Sequence, residues 1–453
     1  MTTVYTKQQR IAKLAGERPG MAFTTLAHHI DLDWLKEAFL QVRRDGAAGV
    51  DNQTWEEYAR EWEGNLTGLL DRLKSGSYFA PPVRRVHIPK GDGSQTRPIG
   101  IPTIEDKTLQ RAIVMLLEPI YEPQFKDWSF GFRPGRSAHD ALAYLWEQAN
   151  ACRVKVILEV DIKAFFDTIP HGQLREVVGQ RVRDGVVLRV IGKWLNAGVM
   201  EKGQISYSEE GTPQGGVISP LLANIYLHEV LDEWFATTVK PRLKGLAFMV
   251  RYADDFVMGF ECQEDAQRVY EVLPKRLAKY GLSHHPEKTR KVDFARPGTT
   301  RNGPKKPADE QPPKDDDPHG GHPGRFDFLG FTHYWGRALS GGYVIKRKTS
   351  KQRLNRAIKR VGQWCCEHRH LPMLEQCQRL KSKLNGHYNY YGITGNGASL
   401  SSFAYAVKRL WHKWLNRRDR SGSLLWERFA AMLQGAYRLP SPRIVHSVYA
   451  AKQ

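Results

Sequence analysis

Apolar positions along this chain recur with two periods, and each predicts a different kind of element. Two apolar runs, Phe248–Tyr252 and Phe256–Phe260, flank Ala253-Asp254-Asp255 and predict strand, tight turn, strand. Upstream, Val156-Ile157-Leu158-Glu159-Val160-Asp161 is rich in β-branched residues and predicts a core strand ending on an acid. Tyr78–Lys90 predicts a strand running to a Gly-Asp-Gly turn, with Arg97 on the returning strand. Helical spacing is found over residues 31–42 (Leu32, Leu35, Phe39, Val42), over Asp106–Tyr121 (Leu109, Ile113, Leu116, Leu117) and over Glu264–Tyr280. Ser219 and Pro220 read as an N-cap and first helical residue, with Leu222, Ile225, Leu231 and Trp234 following. From Arg347 onward three helices are marked by Leu354, Ile358 and Val361, by Leu380 and Leu384, and by Phe403, Val407, Leu410 and Trp414.

Two stretches carry no such period. Residues 1–22 are polar and basic and predict a mobile leader. Residues 296–325 are crowded with Pro, Gly and opposite charges, a composition that builds no core and predicts a flexible insertion. The glycine-rich stretch Arg43–Asp51 breaks the helix before it and reads from its residues as a helix-loop linker.

Charge sharpens this picture. The 453 residues carry a net +20, and residues 344–453 hold 22 Lys and Arg against four Asp and Glu. That imbalance, in a segment of helices with basic outer faces, points to a polyanionic partner. Tyr388, Tyr390, Tyr391, Trp411 and Trp414 are interleaved with those cations, either as core or as stacking surfaces for unpaired bases. No apolar run approaches the roughly 20 residues that span a bilayer, and no secretory signal is visible, so the chain reads as cytoplasmic with no membrane partner. The five cysteines show no zinc spacing.

The chemistry centres on the acids. Neighbouring carboxylates between apolar strands repel one another and lose hydration, and a divalent cation with a taste for oxygen removes that penalty. Two-metal phosphoryl transfer needs several acids converging on cations about 4 Å apart. Asp161, 93 positions before Asp254, supplies a second acidic strand end, so the fold must join them.

Seven collinear blocks carry a resemblance. They are Ile88-Pro89-Lys90 with Arg97-Pro98-Ile99-Gly100-Ile101-Pro102; Gly131-Phe132-Arg133-Pro134-Gly135-Arg136-Ser137; Val160-Asp161-Ile162; Gly211-Thr212-Pro213-Gln214-Gly215-Gly216; Tyr252-Ala253-Asp254-Asp255; Gly281-Leu282 with Pro286-Glu287-Lys288-Thr289; and Phe328-Leu329-Gly330-Phe331. Over residues 25–446 the chain resembles bacterial group II intron reverse transcriptases, also called maturases. Many of those carry a C-terminal HNH endonuclease, often with paired cysteines, and this chain is expected to lack one.

The resemblance implies an α+β right-hand polymerase: an N-terminal extension over 1–60, fingers and palm over 61–345, and a basic α-helical thumb or maturase domain over 346–453. It implies RNA-directed DNA synthesis with two Mg2+ ions held by Asp161, Asp254, Asp255 and the carbonyl of Ile162. Lys90, Arg97, Gln214 and Lys288 would meet the nucleotide, and Phe166 would be the steric gate against a ribose 2′-hydroxyl. Phe328, Leu329 and Gly330 would grip the primer; Arg133, Arg136, Arg356, Lys359 and Arg360 are candidate RNA contacts or inert surface cations. Expected partners are the intron RNA, an RNA template with its DNA primer, dNTPs and target DNA, with homodimerisation open. Rival readings are a reverse transcriptase recruited to antiviral defence or CRISPR spacer acquisition, a pure RNA-binding splicing factor, and a right-hand RNA polymerase that Phe166 disfavours.

Overall fold

A computed structural model of the protein describes residues 3–90, 95–201, 203–207, 210–211, 215–297, 324–338, 340–418 and 424–447. The side chains of Lys90 and Gln95, the whole of Gln214, and residues 298–323 of the expected insertion lie outside the described residues. The strands in chain order are β1 (Val83–Lys90), β2 (Gln95–Ile101), β3 (Val156–Asp161), β4 (Val199–Glu201), β5 (Gln204–Ser206), β6 (Ala247–Tyr252), β7 (Asp255–Phe260), β8 (Arg290–Asp293), β9 (Arg325–Phe328), β10 (Phe331–Arg337) and β11 (Tyr343–Thr349). They form three sheets, ordered β2-β1-β4-β5, β6-β7-β3-β8 and β11-β10-β9. The fold is mixed α+β, as the alternating periods predict.

The chain groups into two compact units. One comprises Met1–Ala141, Val160–Met258 and Cys262–Arg290; the other comprises Leu142–Glu159, Gly259–Glu261 and Lys291–Gln453.

In the first unit, residues Val4–Glu17 form a helix capped by the Thr3 hydroxyl, which accepts from Thr6 N. This corrects the expectation of a mobile leader over 1–22. Ile11 and Ala15, one turn apart, are buried, Gln8 Nε2 donates to the Met115 carbonyl at 3.0 Å, and Lys7 pairs with Asp31. A short polar stretch therefore hid an amphipathic face of two residues. The helix Leu32–Leu40, capped by Asp31, buries Trp34, Leu35, Ala38 and Phe39. Both neighbour the Ile104–Tyr121 helix, which is buried along nearly its whole length and starts at a Thr103 N-cap. Each large apolar side chain removed from water there stabilises by about 1.5–3 kcal/mol.

The β1–β2 hairpin is antiparallel and sets Ile88 opposite Arg97. The helix at residue 219 begins one residue earlier than read: Ile218 takes the N-cap position, and buried Ser219 is the first helical residue. After Leu227 its turns widen into π-helical geometry over His228–Glu233 and Phe235–Val239. Such a register shift is common at functional sites.

In the second unit, β9 and β10 meet at a two-residue turn, Leu329-Gly330, with φ of 50° and 82°. Positive φ at both central positions is the type I′ pattern that matches strand twist. The C-terminal region is helical: Lys351–Glu367, Met373–Tyr391 and Gly397–Leu415, plus a fourth short helix, Trp426–Gln434, that the periodicity did not mark. Its core holds Cys365, Cys377, Leu380, Leu384, Tyr388, Phe403, Val407, Trp411 and Phe429. Tyr388 and Trp411 are fully buried, so these two rings are core and not stacking surfaces. Burial pushes the Cys365 thiol up to about 12, as suits an inert core sulfur.

Candidate functional site

The site is assembled within the first unit, where β6 and β7 meet at Ala253-Asp254. Met249, Val250, Phe256, Val257 and Met258 are buried on the strands, which carries the two aspartates to a strand end. Ala253 adopts φ of 58°, a left-handed conformation unusual for a residue with a Cβ. Gly131 makes the turn possible from outside: a methyl group there would run into the Ala253 nitrogen and the Tyr252 carbonyl carbon.

Asp161 sits at the end of β3. Its backbone is fixed by His285 N donating to Asp161 O at 2.7 Å and Lys163 N donating to Ser283 O at 2.8 Å. These bonds form the bridge of Ile162 to His284 and do not use the Ile162 carbonyl. Asp254 is held above the usual carboxylate range, chiefly by burial and further by the charge of Asp161. A backbone hydrogen bond and the cations Arg97 and Lys288 pull the other way. Asp161, Asp254, Arg97 and Lys288 are therefore within electrostatic reach of one another, although the sequence spreads them over 191 positions from Arg97 to Lys288. The Lys288 Nζ donates to Asp161 Oδ2 at 2.6 Å. Asp255 is exposed at the start of β7.

Asp161 and Asp254 suit a hard divalent cation, because each is an oxygen donor and the charge of Asp161 opposes ionisation of Asp254. The ammonium of Lys288 occupies part of that electrostatic role. Among the described residues, no cluster of three or more His, Cys, Asp or Glu side chains stands ready-made as a metal site.

Phe166 lies half-buried after Ala164, another residue with positive φ (47°), and packs edge-to-face on buried Phe165 with ring centroids 5.3 Å apart. Of the two rings, Phe165 is core and Phe166 is partly exposed.

Other sequence-based candidates fare differently. Arg133 is corrected from a nucleic-acid contact to a structural residue. Its guanidinium grips both Glu122 carboxylate oxygens and the carbonyls of Lys126 and Ser129, with its side chain 4% exposed. Arg136 is half-buried, 3.2 Å from Asp127 Oδ1 and over the Phe130 ring. In the second unit Phe328 is buried, so its ring is core. Leu329 and Gly330 form the turn tip, braced where Tyr390 Oη donates to Leu329 O at 2.9 Å and Ser350 N to Gly330 O at 3.0 Å. Lys359 and Arg360 are exposed and Arg356 is half-buried on the Lys351–Glu367 helix. Lys90 and Gln214 lie outside the described side chains.

Sequence reasoning passed over a buried network behind the acid turn. Arg251, fully buried, donates from Nε and Nη2 to Asp232 at 3.0 and 2.6 Å, and from Nη1 to Asn224 Oδ1 at 3.0 Å and the Ala253 carbonyl at 3.2 Å. Asn224 in turn donates to the Gly131 carbonyl at 2.7 Å. Burial works against the Asp232 charge, yet Arg251 and His228 hold its carboxyl below the usual range. A lone Arg in an apolar strand, Phe248-Met249-Val250-Arg251, was the available signal.

Comparisons with known proteins bear on what this arrangement is. Residues 88–333 match the family described as reverse transcriptase (RNA-dependent DNA polymerase). Over 282 residues the chain is 34% identical to the group II intron-encoded protein LtrA of Lactococcus lactis subsp. cremoris, covering 59% of this chain and 46% of that protein. It is 36% identical over 296 residues to protein YkfC of Escherichia coli, covering 58% of this chain and 77% of that protein. A more distant relative, nuclear intron maturase 2 of Arabidopsis thaliana, is 28% identical over 232 residues, 43% of this chain and 30% of that protein. The chain thus spans about half the length of the Lactococcus relative. With the family match running from β1 into β10 and taking in Asp161, the acid turn and Lys288, the chain belongs to the reverse transcriptase family and is similar to a group II intron-encoded protein within it.

Proposed function

We propose that the protein is an RNA-directed DNA polymerase that extends a DNA primer on an RNA template, and that it also binds its intron RNA to assist splicing and mobility at a DNA target. The observation carrying this reading is the pairing of Asp254 with Asp161 beside Arg97 and Lys288. Acids and cations so mixed suit a nucleoside triphosphate that arrives with its counter-ions.

Asp161, Asp254 and Asp255, with the Ile162 carbonyl, would hold two magnesium ions, which favour attack by the primer 3′-hydroxyl and departure of pyrophosphate. Arg97 and Lys288 neutralise and orient phosphate oxygens, joined in this reading by Lys90 and Gln214. Lys288, paired with Asp161, is the cation best placed to pass from that acid to a phosphate oxygen. The test is extension of a DNA primer on an RNA template with dNTPs and magnesium. Template-dependent product that disappears on chelation is expected; a folded chain that makes none overturns the reading.

Phe166 is assigned the role of sugar gate because it stays half-buried just after the Asp161 strand, set edge-to-face against buried Phe165. Phe166→Ala should raise ribonucleotide use by about 10-fold or more, the discrimination a shape-based pocket can supply. The ratio of kcat/KM for matched deoxy- and ribonucleotides measures it. An unchanged ratio places the gate elsewhere.

The C-terminal helices are assigned as the thumb. Leu354, Ile358 and Val361 of the first helix pack on the core, which turns the face of Arg356, Lys359 and Arg360 away from it. Reversing those three to Glu should leave the fold intact, weaken intron RNA binding, and flatten its log–log salt slope by up to about 3. Filter binding across a salt series decides this, and an unchanged slope means that the face meets only water.

A further inference from the structure

Six non-glycine residues among those described have positive φ: Asn52, Phe132, Arg153, Ala164, Ala253 and Leu329. Ala253 forms the acid turn, Ala164 precedes Phe166, and Leu329 forms the hairpin tip. Backbone strain in this chain therefore gathers on the loops that carry its candidate chemistry, as it does in active sites generally. Phe132, with φ of 58°, is the one aromatic residue in the set.

Its surroundings explain how the strain is held. Trp128–Gly131 runs beside β6: Arg251 N donates to Trp128 O at 2.8 Å and Phe130 N to Arg251 O at 2.9 Å. Gly131 is pressed against Tyr252 and Ala253, and its carbonyl accepts from Asn224. On the other side the Arg133 guanidinium is anchored on Glu122, Lys126 and Ser129. Both neighbours of Phe132 are thus locked, one of them onto the acid turn itself. Yet Phe132 itself, between these two anchored neighbours, is 53% exposed.

A bulky side chain at positive φ costs about 1 kcal/mol or more. Leaving the ring in water also forgoes the stabilisation that burial would bring. Resting on the polymerase reading above, we propose that Phe132 is a stacking surface for a base of the bound template–primer, held rigid beside the acid turn so that the duplex settles over Asp254. An aromatic face accepts any base, which is what a polymerase that copies any sequence requires.

Three variants test this. Phe132→Gly removes the ring and suits the left-handed backbone, so its Tm should hold or rise by a few degrees, the sign expected on relief of strain. Its Kd for an RNA template–DNA primer should nonetheless weaken by about 10-fold, the scale of one lost base–aromatic contact. Phe132→Leu keeps apolar bulk without a flat face and should weaken binding similarly. Phe132→Trp should keep most of the affinity. In steady state the loss falls on KM for template–primer more heavily than on kcat. Wild-type affinity in Phe132→Gly, or full affinity in Phe132→Leu, overturns the stacking role. A fall in Tm for Phe132→Gly shows a structural role instead. A wild-type chain that extends no primer removes the polymerase reading itself, whereas an active wild type with a normally binding Phe132→Gly removes this proposal alone.

Discussion

Asp254→Asn is expected to lose at least about three orders of magnitude in primer extension while the protein melts no lower than wild type. The first half follows from chemistry: stabilising charge on a transferring phosphoryl group through a bound cation is worth several kcal/mol, and each 1.4 kcal/mol is tenfold in rate. The second half follows from the sign of the pKa. Asp254 titrates above its ordinary value because burial and Asp161 oppose its charge. A carboxyl whose folded pKa is raised is penalised once pH exceeds its unfolded pKa, and the penalty is complete above the folded one. Above that folded pKa the wild type therefore carries a charge that its fold disfavours, and the neutral amide is spared it. Activity and stability should move apart, which separates a metal ligand from a structural acid. Extension assays at saturating magnesium, paired with thermal melts, measure both. Near wild-type extension by Asp254→Asn would remove the two-metal assignment.

The same contrast explains what could be read from the sequence. The acid turn, β3, the 31–42 and Asp106–Tyr121 helices and the basic C-terminal helices were legible because each is a strong local period or a charge imbalance. The convergence of Asp161 and Asp254 was legible only through the chemistry two such acids imply. Arg133 misled because an arginine in a glycine-bounded turn looks solvent-facing, and only three-dimensional proximity to Glu122 shows otherwise. The N-terminal helix was missed because its buried stripe is two residues wide. Asp232 was invisible because the widened turns over His228–Glu233 change the helical phase, so its position on an ordinary helix does not reveal that it meets Arg251. The left-handed residues were likewise silent, since Phe132 and Ala253 are not residue types that announce positive φ.

Arg251 is the residue through which the fold and the chemistry can be separated most cleanly. It joins Asp232 to Asn224 and to the Ala253 carbonyl, and so ties the back of the acid turn to the core. Arg251→Met leaves Asp232 buried without its guanidinium partner and with only His228 nearby, a loss of about 3–5 kcal/mol in stability. Joining it with Asp232→Leu removes the orphaned charge, and a buried ion pair exchanged for apolar groups is often neutral or stabilising. The double variant should therefore regain most of the melting temperature lost by Arg251→Met. It should not regain the rate, because no donor then holds the Ala253 carbonyl or Asn224, and the carboxylates lose their fixed direction. We expect kcat to stay down by about 10-fold or more, as a displacement of about 1 Å at a reacting centre can cause, with template–primer KM changed much less. Arg251→Lys keeps the charge but not the two-pronged grip on Asp232, and should fall between. Thermal melts with steady-state extension on the three variants decide the matter. A double variant that recovers both stability and kcat would mean that Arg251 serves the core alone and that the turn holds its own geometry.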